Sequence, residues 1–281
     1  MILLGALQGI AEFLPVSSSG HLALFEHFFF RVEKATALGV FMHLSTLLAV
    51  CTVCGKDVKD LFRGAVCCLR RRAACTAEEL EARGRFISTA YITLPLIAAA
   101  GVDFAIKRTA GAGLSDLIDR YIALRPAAVG ALLILNGALL LGAGALPARG
   151  KTLGALTFAE GCAVGAFQVF ALLPGVSRSG MTVIGCRLVG MDAEEAVRTA
   201  LVTSVPAVAG ALATQLPDLY GARDALPPAG HLFAAALSAY AVGILAILLL
   251  TKRTKRAGLR PFAAYCIAAG AAATVAALCG L

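Results

Sequence analysis

Charge is scarce in this chain. Asp, Glu, Lys and Arg make up 15% of 281 residues while hydrophobic residues reach 59%, against about 25% and about 45–50% in ordinary soluble domains. That shortage excludes a soluble globular class and points to a polytopic membrane protein. Acidic residues are the rarer sign, leaving a net charge of +8. The excess is gathered in connections between apolar stretches, so it gives no reason to invoke nucleic acid. A basic leader region is also missing: the apolar start runs into a serine-rich motif rather than a small-residue cleavage site, which argues against a cleaved signal peptide. Cys51-x-x-Cys54 lacks a second pair or a nearby histidine cluster, so it does not read as a metal or redox site. Cys67, Cys68 and Cys75 fall in an expected cytoplasmic loop, where thiols stay reduced, and the pattern is no disulfide framework.

Six stretches are long enough to cross a hydrocarbon core, which takes about 20 mainly apolar residues: 36–55, 86–106, 126–146, 196–216, 230–250 and 261–281. Two apolar pieces, 1–14 and 158–173, are too short and run directly into serine motifs. Each is the expected first arm of a re-entrant hairpin, within 1–35 and 147–195. Lipid cannot satisfy free peptide groups, so the hairpin tips should be buried in protein or wetted. Segments 56–85 and 251–260 carry +3 and +5, and 217–229 carries −1. The first two are therefore expected in the cytoplasm and the third outside. Alternation forces 107–125 outside despite its charge of +2. Segment 56–85, with Arg70-Arg71-Arg72 and Glu78, Glu79 and Glu81, reads as a charged helical hairpin or amphipathic excursion, a cytoplasmic loop that is solvated or touches the headgroups.

Two polar breaks correspond. Gln8-Gly-Ile-Ala-Glu-Phe-Leu-Pro-Val-Ser-Ser-Ser-Gly-His21 and Gln168-Val-Phe-Ala-Leu-Leu-Pro-Gly-Val-Ser-Arg-Ser-Gly180 lie 160 positions apart, with 8 identities in the 16 positions from 5 to 20. Apolar bias does not readily supply Gln, two serines and a glycine in register. A duplicated unit does. The expected fold is an all-α polytopic membrane protein: one membrane domain, 1–281, built as an inverted-topology repeat, 1–146 and 147–281, each a re-entrant helical hairpin followed by three spans. An odd number of spans inverts the second half, and such repeats place a site near the bilayer midplane. The Gly5-x-x-x-Gly9 and Gly161-x-x-x-Gly165 pairs suggest close helix packing.

Pro15 and Pro174 interrupt helical hydrogen bonding where Gly20, Gly175 and Gly180 relax the backbone. A helix that restarts there offers free N–H groups and a positive dipole end, which suit phosphate. Glu12, His21 and Arg178 are ionisable residues inside membrane segments and hence functional candidates. Arg178 offers a planar fork for phosphate oxygens, with Ser177 and Ser179 as neutral donors. Ser18 lies three residues before His21, on one helical face, either as a nucleophile near its base or as a helix cap. Gln8 and Glu12 share a face four residues apart. They could hold a divalent cation, or Glu12 could serve as a base or as a satisfied structural carboxylate.

The segments Glu12-Phe-Leu-Pro-Val-Ser-Ser-Ser-Gly-His21 and Pro174-Gly-Val-Ser-Arg-Ser-Gly180 resemble the two signature motifs of the undecaprenyl-diphosphatase family, bacterial integral-membrane enzymes associated with bacitracin resistance. The resemblance spans essentially the whole chain. It implies a multi-pass protein of the bacterial plasma (inner) membrane that hydrolyses a polyprenyl diphosphate to the monophosphate carrier lipid and inorganic phosphate, recycling the carrier for cell-wall synthesis. It puts the nucleophile at Ser18 with His21 as acid/base, or a phospho-histidine at His21. It makes Arg178 the diphosphate clamp, with Ser17, Ser19, Ser177, Ser179 and Gly180 around the phosphate. It further implies Mg2+ or Ca2+ near Glu12 and Gln8, where neutral Gln8 leaves one fixed charge fewer than two carboxylates, and a reaction on the extracytoplasmic side.

A rival reading is a polyprenyl-phosphate transporter or flippase of the same architecture, which needs Arg178 and the helix ends but no nucleophile. Among other polar residues, His43 is expected to make a helix-packing hydrogen bond. His27, Glu26 and His231 are expected at the interface, and Glu160 at the start of the second hairpin, where a helix dipole favours a carboxylate. The partners expected are the lipid substrate and membrane lipids, with a homo-oligomer compatible and nucleic acid not.

Overall fold

A computed structural model describes residues 1–29, 35–70, 76–221 and 227–280. Arg71, Arg72 and Cys75, and part of the connection 217–229, lie outside the described residues. Among those described there is no strand. The two short apolar pieces are half-length helices, as their length dictates. α1 (Ile2–Phe13) breaks at Leu14 to Ser17 and restarts as α2 (Ser18–Phe28). The expected spans of the first half follow as α3 (Ala35–Val53), α5 (Ala77–Ala110) and α7 (Pro126–Ala145). Between them lie α4 (Gly55–Arg70), bent 93° from α3, and the short α6 (Leu114–Ile118). In the second half α8 (Phe158–Val169) continues through a 3-10 turn, Phe170–Leu172, breaks, and restarts as α9 (Arg178–Leu188). The remaining spans are α10 (Ala193–Gly221), α11 (Ala229–Ala257) and α12 (Arg260–Leu278).

Among the described residues five of these helices are long and apolar enough to cross a membrane, and the α3–α4 pair makes a sixth. Several run past the apolar stretch because polar ends continue the helix. α5 begins at a Thr76/Glu79 capping box and stops at Gly111, whose φ of +81° ends the helix without strain.

The two hairpins enter from opposite ends of the bundle, and α11 serves as the ruler. Near its start, Ser238 donates to the Ile2 carbonyl at the base of α1 (2.9 Å). Toward its other end, Lys255 pairs with Glu194 (3.5 Å). The adjacent Glu195 accepts from the Leu153 amide (3.0 Å), shortly before α8 begins. The base of the second hairpin thus sits toward the Lys255 end of α11, and that of the first toward the Ser238 end.

Small residues set the packing. A Cβ on Gly9 would lie 2.6 Å from the Ala239 carbonyl oxygen, so α1 and α11 approach backbone to backbone. Gly161 and Gly165 serve the second hairpin in the same way against Tyr91, Ile92 and Pro95 of α5. The described parts of 56–85 and 251–260 lie at one end of the bundle, as the charge pattern requires. The charged excursion is more than solvated surface: Asp57 binds Arg85 (2.9 Å) and Arg198 (2.6 Å), tying α4, α5 and α10 together. Burial opposes ionisation of Asp57, yet the Arg198 and Arg85 guanidiniums outweigh it and hold the carboxyl below its ordinary range.

Candidate active site

The duplicated serines build the same local structure twice. Ser17 precedes α2 and its Oγ accepts from the Gly20 amide (3.2 Å). Ser177 precedes α9 and its Oγ accepts from the Gly180 amide (3.1 Å). Each cap fixes the restart of a helix whose remaining first-turn amides carry the positive dipole end. Gly180, expected at the phosphate, thus gives its amide to the cap. The tips interlock: Ser17 Oγ donates to the Val176 carbonyl (3.3 Å) and Ser179 Oγ to the Leu14 carbonyl (3.2 Å). A Cβ on Gly20 would sit 2.7 Å from Gly175 Cα, which leaves room only for hydrogen. Ser17 has φ +72°, alone among described non-glycine residues in that region. Such a conformation costs about 1–3 kcal/mol and persists only where its surroundings enforce it.

Arg178 and Glu12 meet across the tips as an ion pair, with the Glu12 side chain only 3% exposed. The other oxygen of Glu12 accepts from Ser18 Oγ (3.0 Å) and from Gln8 Nε2 (2.9 Å). His43 on α3 lies 3.3 Å from Gln8 Nε2 and 3.9 Å from Glu12. Its hydrogen bond does join two helices, and it also belongs to the carboxylate's surroundings. His21 stands elsewhere: Nδ1 is 2.8 Å from the Ser17 carbonyl and Nε2 is 2.8 Å from the Tyr265 hydroxyl. The structure therefore brings Ser18 to Glu12 rather than to His21. Shared helical facing did not imply contact, because the Ser17 carbonyl one turn back captures the imidazole.

Gln168, Thr182 and Thr203 join Glu12, Arg178 and Ser179 around a cleft of about 10 Å3. That is no more than one water's worth of space, so the two motifs are closed on each other. A far larger cavity, about 930 Å3, lies at the charged end among Lys56, Asp60, Arg63 and Arg85, away from the motifs. The outlying residues take ordinary places. His27 and His231 are exposed and Glu26 is half-buried. Glu160 caps α8 with Thr157 and pairs with Lys151 (2.8 Å).

Sequence reasoning misses Asn136. From the middle of α7, its Nδ2 donates to the Pro15 carbonyl (3.0 Å) and its Oδ1 accepts from the Ser177 amide (3.1 Å). One buried amide holds both breaks. The available signal is a solitary Asn in an apolar span, a polar group that membrane burial makes costly unless it is paired.

A match to the family described as Bacitracin resistance protein BacA covers residues 1–272. The chain belongs to that family. Relatives include undecaprenyl-diphosphatases of Desulfatibacillum aliphaticivorans, 32% identical over 98% of this chain and 97% of the relative, and of Desulfosudis oleivorans, 34% identical over 96% and 94%. That of Geobacter metallireducens is 33% identical over 95% and 94%. In this BacA-family chain the paired serine motifs form a single polar centre within an apolar bundle.

Proposed function

We infer that this protein is an undecaprenyl-diphosphate phosphatase of the bacterial membrane, releasing undecaprenyl phosphate and inorganic phosphate and thereby supporting bacitracin resistance. The observation that carries the mechanism is the 3.0 Å contact of Ser18 Oγ with Glu12. A serine hydroxyl becomes a nucleophile when an adjacent base takes its proton. Ser18 attacks the terminal phosphorus while Glu12 accepts that proton. The bond from phosphorus to the bridging oxygen breaks, and undecaprenyl phosphate leaves with the bond's electron pair. Water then attacks the phosphoserine, giving inorganic phosphate and restoring Ser18. Arg178, released from Glu12 onto the diphosphate, and the first-turn amides of α2 and α9 stabilise the charge that develops on the phosphoryl oxygens. Ser19 adds a neutral donor, and Ser179 does so once its hydroxyl leaves the Leu14 carbonyl.

A divalent cation, Mg2+ or Ca2+, suits this centre in one respect: Gln8 Oε1 is buried without a hydrogen-bond partner and can serve as an oxygen ligand beside Glu12. Among the described residues no group of three or more His, Cys, Asp or Glu forms a cage, so phosphate oxygens would supply much of the coordination. When bound, the ion neutralises diphosphate charge. We read the two halves, 1–146 and 147–281, as an inverted duplication and the reaction as extracytoplasmic. A carrier of the same architecture would use Arg178 and the helix ends but would have no need of the Ser18–Glu12 contact.

The test is phosphate release from undecaprenyl diphosphate by purified protein, with and without divalent cation. Release abolished in Ser18→Ala and Arg178→Ala supports the phosphatase. Folded wild type that binds the lipid without releasing phosphate contradicts it.

A further inference from the structure

We propose that Tyr265 is a positioning residue for His21, holding the imidazole in place in both of its protonation states. The proposal rests on the phosphatase reading above and extends it to a residue of α12 outside both motifs.

The hydrogen bonds fix the arrangement. A carbonyl oxygen can only accept, so Nδ1 of His21 carries a hydrogen and donates to the Ser17 carbonyl (2.8 Å). In the neutral ring Nε2 is then an acceptor, and the hydroxyl 2.8 Å away donates to it. In the imidazolium Nε2 carries a hydrogen, and the same hydroxyl turns to accept it. A phenol can play both parts because it is donor and acceptor at once. The two ring planes lie 11° from parallel, with centroids 5.6 Å apart. The imidazole is therefore gripped at both nitrogens.

The neighbourhood makes this arrangement specific. Cys266, next to Tyr265, reaches the Pro15 carbonyl (3.5 Å), and Asn136 binds the same carbonyl. α12 thus contacts the first motif within its break, at Pro15, and beyond it, at His21. The α7–α12 pair is close-packed through Gly137, where a Cβ would lie 2.7 Å from the Ala263 carbonyl oxygen. Tyr265 is fixed to the element that also fixes the hairpin tip. Its hydroxyl acts through the imidazole on the Ser17 carbonyl, and so on the restart of α2 that carries the neighbouring Ser18.

A double-mutant cycle tests this, using full-length protein in detergent with undecaprenyl diphosphate. Tyr265→Phe keeps the ring and removes the hydroxyl. We expect kcat to fall about tenfold, the scale of one lost hydrogen bond, with KM changed by less than about twofold. Adding Tyr265→Phe to His21→Gln should cost nothing further, because the hydroxyl acts through the imidazole. NMR of labelled histidine side chains should show the His21 Nε2 signal displaced in Tyr265→Phe and the His43 signals unmoved. Unchanged kcat in Tyr265→Phe, additive losses in the double variant, or an unmoved His21 signal would each overturn the proposal. Full activity in His21→Gln would also overturn it while leaving Ser18 and Glu12 in place. Absence of phosphate release by wild type would instead remove the underlying phosphatase reading.

Discussion

Arg178 at the tip of the second hairpin is paired with Glu12 of the first, 166 residues away in sequence. Each is a charge that apolar surroundings penalise when alone, and each offsets the cost of the other. In the proposed mechanism Arg178 exchanges this partner for the diphosphate. Glu12→Gln should lower kcat about 100-fold or more by removing the proton acceptor of Ser18. Arg178→Lys should also be impaired, because a point charge does not reproduce the planar fork. Steady-state phosphate release checks both.

Asn136 bridges the two breaks, so its loss should be felt at both. Asn136→Leu leaves the Ser177 amide without its partner, at a cost of about 1–3 kcal/mol, and leaves the Pro15 carbonyl with only the weak Cys266 thiol donor. Thermal unfolding in detergent should show a lowered midpoint, together with reduced activity. Asn136→Asp retains the acceptor for Ser177 but sets a carboxylate against the Pro15 carbonyl, and should also be destabilised.

Gly20→Ala should separate the tips. The added methyl would meet Gly175 backbone atoms at 2.7 and 2.9 Å, and backbone cannot swing aside as a side chain can. Activity should drop sharply. Gly142→Ala in α7 has open space at its Cβ and should keep full activity, with stability raised by up to about 1 kcal/mol from helix propensity.

Asp57 supplies a pH-dependent contribution to stability. Its folded carboxyl titrates below the ordinary range, so the stabilisation is present above the unfolded value of about 3.9 and is lost as pH falls through the lower folded value. Its partner Arg198 has a side chain 46% exposed, and solvent screening limits the effect to about 1 kcal/mol. Asp57→Asn should lower the unfolding midpoint at neutral pH, and the difference from wild type should shrink as pH is lowered into the acid range.

Much of the fold was legible because membrane burial leaves a plain mark on composition: five of the six apolar stretches became helices long enough to span, the stretch 36–55 became α3, bent 93° into α4, and the two short ones became half-helices ending near proline and serine. Arg178 and Glu12 stood out as charges in apolar surroundings, although their pairing spans too much sequence to be read from spacing. The Ser18–His21 relation shows the limit of helical spacing, which brings two residues to one face and leaves open which neighbour each will bind. Tyr265 carried no signal, because an aromatic residue near a span end is ordinary. Its meaning came only when α12 was set beside α2.

In the proposed mechanism Ser18 becomes phosphorylated after yielding its proton to Glu12. The most direct measurement is a quench in denaturant at near-neutral pH, where phosphoserine and phosphohistidine both survive, of enzyme mixed with substrate labelled in its terminal phosphate, followed by mapping of the labelled peptide. The mechanism predicts label on Ser18, none in Ser18→Ala, and strongly slowed labelling in Glu12→Gln. Label on His21, or phosphate release by Ser18→Ala at the wild-type rate, would contradict it.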